Sequence, residues 1–278
     1  MIFDDRRCTL GEGPLWHPTR HQLFWFDIIG KRLLTRDASG PREWTFDNHV
    51  SAAGWVDQTT LLIASDKGLH RFDIDTGHSD LVTALEADIP LTRSNDGRAD
   101  PWGGFWIGTM GYNSEPGAGA IYRYYKGELR KLFSQITVPN AICFAPDQLH
   151  AYFTDTPTRI INRQPLDPKS GWPLGTASVF VDLNADGLNP DGAVIDAQGN
   201  LWNAQWEASR VAVYSPKGQL THAIELPALK TTCPAFGGDD LKTLFCTSAA
   251  EGLDGKDDGL TFSLQQKAKG QREHQVQL

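Results

Sequence analysis

Phe24-Trp25, Leu61-Leu62, Phe105-Trp106, Tyr152-Phe153, Leu201-Trp202 and Leu244-Phe245 are six strongly apolar pairs, and each follows one oxygen-bearing residue at a nearly fixed distance. Glu12, Ser51, Asn95, Asn140, Asp191 and Thr232 stand 11 or 13 residues before the second member of their pair. Between residue and pair lies a turn-like cluster, such as His17-Pro18-Thr19-Arg20, Asp100-Pro101-Trp102-Gly103 or Asp196-Ala197-Gln198-Gly199. A slack of two residues fits a hairpin loop of variable length, so the repeated unit reads as a β-hairpin.

The six oxygen-bearing residues are 39, 44, 45, 51 and 41 residues apart. Periods of about 40–50 residues with several short strands per unit belong to propeller blades. Apolar residues at adjacent positions bury both faces of a strand, as in a blade packed between two neighbours. The pattern predicts an all-β fold: a six-bladed β-propeller of four-stranded antiparallel blades, forming one domain over residues 1–278. In a radial array, equivalent positions share one height and radius, so the six residues are expected to converge on the axis. A single Ser, Asn or Asp at a strand entrance ordinarily satisfies turn backbone. Glu12, directly before Gly13-Pro14, has no such turn preference.

A closed ring must avoid a loose edge, so the segment Ile2–Thr9 is expected to pair with the last blade near Leu260–Leu264. The polar tail from Gln265 is expected to end in an outer strand near His274–Leu278. Nine Trp and thirteen Phe in 278 residues give ample core material. The formal net charge of −8 argues against nucleic acid or an anionic membrane as partner. No apolar run follows Arg6-Arg7 and no stretch reaches membrane-spanning length, so a cytoplasmic location is expected. Cys8, Cys143, Cys233 and Cys246 are widely spaced and read as free buried thiols.

Several chemistries are missing. There is no Gly-x-Ser-x-Gly elbow, Walker loop, His-Glu-x-x-His or dinucleotide fingerprint. Asp182-Leu183-Asn184-Ala185-Asp186-Gly187 begins like an EF-hand loop, but its twelfth position is Ala193, and it reads as an inter-blade loop. His17 reads as a turn residue. Asp27 and Asp155 share another repeat phase and read as partners for loop backbone. Trp206, Glu207 and Arg210 are placed on a rim loop, with Trp206 read mainly as packing.

Glu12, Asn140 and Asp191 together offer two carboxylates and an amide oxygen, a hard ligand set suited to Ca²⁺, Mg²⁺ or Mn²⁺ and also found around Zn²⁺ or Fe²⁺. An open divalent cation polarises a carbonyl and acidifies bound water, which suits hydrolysis of an ester or lactone. Arg93 and Asn95 enter the same mouth and offer planar donors to a small polyhydroxylated substrate.

Leu10-Gly11-Glu12-Gly13-Pro14, Arg93-Ser94-Asn95-Asp96-Gly97, Phe105-Trp106-Ile107-Gly108-Thr109-Met110, Pro139-Asn140 and Pro190-Asp191-Gly192 occur in this order. From Met1 to about Leu264 the chain resembles the SMP-30/gluconolactonase/regucalcin-like family. The resemblance implies a six-bladed propeller with one divalent metal at its axis, held by Glu12, Asn140 and Asp191, and a hydrolase of aldonolactones. It implies substrate recognition by Arg93 and Asn95, with Asp191 also the proton acceptor. Some members carry an acidic substrate contact after the Gly-Thr-Met segment. Here Asn113 stands three beyond Met110, and is the expected contact at that place, with Glu115 two positions later as an acidic alternative. The expected partner is a small sugar lactone, and the expected assembly a monomer or weak homo-oligomer. The rival readings are a non-enzymatic propeller that binds a divalent metal, and an esterase or organophosphate hydrolase on the same fold.

Overall fold

The computed structural model describes residues 1–278 and contains six antiparallel four-stranded sheets. There is no α-helix, only a 3-10 turn at Thr156–Thr158. Each sheet is a blade. The inner strands are Gly11–His17, Val50–Trp55, Thr92–Ala99, Pro139–Phe144, Asn189–Ile195 and Lys230–Gly237, here blades 1 to 6. Each inner strand touches the next, and the sixth touches the first, so the array closes into the expected six-bladed β-propeller. No helix is long and apolar enough to cross a membrane.

All six apolar pairs fall on the second strand of their blade, which explains their composition. In Gln22–Asp27 every residue is buried, with Leu23, Phe24, Trp25 and Phe26 filling clusters on both faces. A strand sandwiched between neighbouring blades loses the usual polar alternation because neither face meets water.

The inner strands share an irregularity at the phase that the sequence marked. Pairing with the second strand breaks register between Glu12 and Leu15, Val50 and Ala52, Ser94 and Gly97, Asn140 and Cys143, Pro190 and Ala193, and Thr231 and Pro234. Such a bulge interrupts the ladder and re-aims a side chain. At Gly13 the backbone has φ +54, and a Cβ would meet the Ser51 carbonyl oxygen at 2.3 Å. Only glycine fits there.

Blade 6 closes the ring. Its outermost strand is Ile2–Asp4, paired with Thr261–Gln265 through Ile2↔Phe262 and Asp4↔Thr261. The pairing segment is shorter than the expected Ile2–Thr9. After Asp4 the chain leaves the sheet, and Cys8 N donates to Gly259 O. Phe3 packs edge-on against Trp25 of blade 1 and Phe245 of blade 6, so the closing strand spans the seam.

The expected outer strand near His274–Leu278 is absent, and the tail takes a different course. Residues after Gln265 run beneath the propeller, at the ends of the inner strands opposite Glu12 and Asp191. The Gln271 amide donates to Phe144 O and Ile195 O, Val276 N to Trp55 O, and Gln277 N to Gly103 O. Those carbonyls belong to four blades. They lie at or just past the ends of inner strands, where a strand partner is missing, and the tail supplies their donors.

The four cysteines are free and buried, as read. Asp27 accepts the N–H groups of Thr9, Leu10 and Gly30, and Asp155 those of Thr137 and Val138, which makes both backbone partners. The Asp182–Gly187 stretch lies between the outer strand Ser178–Asp182 and the inner strand of blade 5, with Asp182 turned onto Asn184. His17 is buried at the far end of its strand, bonded to Asp57 O, and burial lowers its pKa to about 4.

Candidate active site

Four of the six repeated positions share one cavity. Glu12, Asn95, Asn140 and Asp191 line a space of about 250 Å³ at the mouth of the inner strands, together with Arg93. The other two are occupied elsewhere. Ser51 donates to Ser94 Oγ, and Thr232 to the Gly11 carbonyl at the neighbouring blade. The ring is thus smaller than the repeat, because a short hydroxyl is satisfied at the blade interface before it reaches the axis.

A directed chain of hydrogen bonds orients the amides. Arg93 can only donate, so its Nη1, 2.8 Å from Asn95, identifies that atom as Oδ1. Asn95 Nδ2 then donates to Asn140 Oδ1 at 3.1 Å and to Pro139 O at 3.0 Å. Asn140 Nδ2 donates to Thr156 Oγ1 at 2.9 Å, and that hydroxyl donates to Pro190 O at 2.8 Å. The chain crosses blades 3, 4 and 5. It leaves Asn140 Oδ1 with a second lone pair.

Charge in the cavity is unbalanced. Glu12 accepts the Gly13 N–H at 3.0 Å, and Arg93 Nη1 is spent on Asn95 Oδ1 and the Ser94 carbonyl. Burial, then the negative field of Asp96, pushes the Glu12 carboxyl up to about 8. Burial and the nearby Glu12 raise Asp191 well above the ordinary carboxylate range. Asp96 sits below them, raised to about 6 by burial, with its Oδ2 accepting the Ile142 N–H at 2.8 Å. Burial also lowers Arg93, to about 10. Buried carboxylates lacking a bonded cation are costly, and a hard divalent cation is what such a set fits. No three His, Cys, Asp or Glu side chains gather at metal-binding separations, so a cation here would need the Asn140 amide oxygen beside the two carboxylates.

The loop after Met110 departs from expectation. Asn113 is exposed and does not line the cavity; its backbone N–H and Nδ2 both donate to Glu115. Glu115 turns back onto its own loop, and neither residue faces the site. Ser114, between them, is the one that lines it. Trp206 also lines the cavity, with Lys230 Nζ 4.7 Å from its ring centroid, while Glu207 and Arg210 do not.

Thr156, Met110, Leu10, Val138 and Glu251 complete the wall and were not singled out from the sequence. Leu10 and Met110 fell inside motifs quoted for other residues. Thr156 follows Asp155 at a 3-10 turn, where no periodicity sets side-chain direction. Glu251 lies beyond the second strand of blade 6, on a loop whose length differs from the other blades.

A family model described as the SMP-30/Gluconolactonase/LRE-like region matches residues 10–250. A Pseudomonas putida protein named 6-deoxy-6-sulfogluconolactonase is 33% identical over 250 residues, covering 87% of this chain and 84% of that protein. An Azospirillum brasilense protein named L-arabinolactonase is 33% identical over 267 residues, 93% of this chain and 86% of the other. A crystal structure from Agrobacterium tumefaciens, described as a calcium-binding protein, regucalcin, has TM-score 0.97 at 40% identity and covers 100% of this chain and 97% of its own.

Proposed function

Because this chain belongs to the SMP-30/gluconolactonase/LRE-like family, we propose that it is a lactonase that opens a sugar-derived aldonolactone, of the glucono- or pentono-lactone type, to the aldonic acid. The observation that carries this reading is the convergence of Glu12, Asn140 and Asp191 with Arg93 and Asn95 around one cavity. Relatives named for gluconolactone and arabinolactone substrates support the substrate class.

Glu12, Asn140 and Asp191 would hold one divalent cation, drawn from Ca²⁺, Zn²⁺, Mg²⁺, Mn²⁺ or Fe²⁺. Such an ion, when bound, supplies Lewis acidity that polarises a carbonyl and acidifies water. Arg93 and Asn95 hold the carbonyl side or the ring hydroxyls of the lactone: the Arg93 guanidinium donates through the N–H groups that Nη1 does not spend, and Asn95, whose two Nδ2 hydrogens are both used, accepts a hydroxyl through Oδ1. Asp191 accepts the proton of the attacking water. A buried carboxylate is a stronger base than one in solvent, which suits that role. Water adds to the carbonyl carbon, the ring C–O bond breaks, and a proton reaches the departing ring oxygen. Trp206 offers an apolar face to the sugar ring.

Aldonolactones also open unaided in water, so rates are read above that background. Metal-stripped protein and Asp191→Ala are each expected to lose turnover of D-glucono-, D-xylono- and L-arabinono-lactone. Wild-type rates in either sample would remove the mechanism.

One observation favours a second reading, a propeller that holds a divalent ion without turnover: the solved structure 40% identical to this chain is described as calcium-binding. Proton release on lactone addition separates the two, since a pure ion binder gives none. An aryl ester in the same panel tests the third, because Leu10, Met110, Val138 and Trp206 put apolar surface beside the polar floor.

A further inference from the structure

The bulge that carries Asp191 is held by a residue outside the cavity. Pro190 pairs with Gln205 and Ala193 with Asn203, so Asp191 and Gly192 together face the single residue Ala204. Their carbonyls have no ladder partner there. Asn203, fully buried on the strand Leu201–Trp206, supplies one: its Nδ2 donates to Asp191 O at 2.9 Å and to Gly192 O at 3.1 Å. Both acceptors are carbonyls, so the donor atom is fixed as nitrogen.

This amide is out of character for its place. At the same register after the bulge, blades 1, 3, 4 and 6 carry Phe24, Ile107, Tyr152 and Cys246. A core strand that could have taken an apolar side chain has instead buried an amide, and left its Oδ1 without a partner. That is a cost those four blades avoid. From the opposite side, Gly192 lies against Cys233, whose Sγ would be 2.4 Å from any Cβ at that position. The bulge is therefore gripped between an amide on its carbonyls and a thiol against its Cα.

We propose that Asn203 is a positioning residue, which sets the Asp191 bulge so that the Asp191 carboxylate points at the shared cavity with Glu12 and Asn140. The inference rests on the cation-binding reading above. The groups that orient a metal ligand typically alter metal affinity about 10–100-fold when removed.

Asn203→Leu keeps the branched shape, with somewhat more bulk, and removes the donor, whereas Asn203→Thr keeps one donor hydroxyl. Metal-stripped wild type and both variants are titrated calorimetrically with Ca²⁺ and, separately, with Mn²⁺, beside their thermal unfolding without metal. The expected result is an apparent Kd raised about 10–100-fold in Asn203→Leu and less in Asn203→Thr. At saturating metal, kcat falls while KM for the lactone, set by Arg93 and Asn95, stays within about twofold. If Asn203→Leu does not fold, Asn203→Thr carries the test. A folded variant that melts earlier yet binds both ions as wild type does overturns the proposal, for that is a purely structural residue. Unmodified protein that takes up neither ion overturns the cation reading, and the positioning role falls with it.

Discussion

A carboxylate with no bonded cation is an uncomfortable thing to bury, and Glu12 is one. Its carboxyl titrates near 4.5 in an unfolded chain and at about 8 in the fold, chiefly through burial. Between those values the folded state keeps a proton that the unfolded chain has released. Cation-free stability is therefore fully present below 4.5 and falls as the pH rises through about 8. A bound cation reverses the trend, since it needs the ionised carboxylate. Glu12→Gln, neutral at every pH, is expected to melt higher than metal-free wild type at about pH 9 and to lose the gain on adding Ca²⁺. Scanning calorimetry at about pH 5 and about pH 9, with and without Ca²⁺, checks both signs. A variant that still gained stability from Ca²⁺ would deny Glu12 its place as a ligand. At this scale the repeat phase brought Glu12, Arg93, Asn95, Asn140 and Asp191 to one cavity, because inner-strand register decides where they point. The sequence misplaced Asn113, whose loop turns on local bonds to Glu115 that no repeat phase predicts. Asp96 and Asn203 escaped notice for a related reason: each acts on backbone, so nothing in its own residue type announces a site.

The strands were legible wherever burial imposed a pattern. Apolar pairs located every second strand, but the slack of 11 or 13 residues reflects where the pair sits along that strand and not the hairpin length: Phe24 pairs with Leu15 just past the bulge, whereas Leu201 pairs with Ile195 at the hairpin end. The bulges themselves left only a faint trace, Gly13 and Gly192 beside Glu12 and Asp191. Closure was foreseen from the edge argument, but only Ile2–Asp4 pairs, because Arg6 folds back to clasp Asp4. Asp4 also binds Arg36 of blade 1, so the closing strand ties the first blade to the last by charge as well as by Phe3. Deleting residues 1–8 strips the outer edge of Thr261–Gln265 and both contacts across the seam. The melting temperature is expected to fall by roughly 10 °C or more, at about 2–4 °C per kcal/mol for a chain of this size. An unchanged melt would mean that the ring is closed by inner-strand packing alone.

Across the whole molecule, the axis is a column of buried charge whose lower end belongs to the tail. Arg98, three residues past Asn95 on the same strand, pairs with Glu273, and its Nη2 reaches toward the Ala193 carbonyl. Trp55 Nε1 holds the Glu273 backbone at 2.9 Å, and Val276 fills the space above Gly54. The tail could not be read as this strap, because its contacts fall unevenly over several blades, with a cluster on Gly54–Val56 and single bonds elsewhere, and such a set has no period. Its energetics can nonetheless be tested. Removing one member of a buried ion pair costs about 3–5 kcal/mol, since the other is left charged in a medium that cannot solvate it. Replacing both by apolar residues of similar volume is often neutral. Glu273→Gln alone is thus expected to lower the urea midpoint sharply, and Arg98→Met with Glu273→Leu to recover most of the loss. If Glu273→Gln costs under about 1 kcal/mol, the range of an exposed pair, water reaches the base of the axis and the tail is no seal.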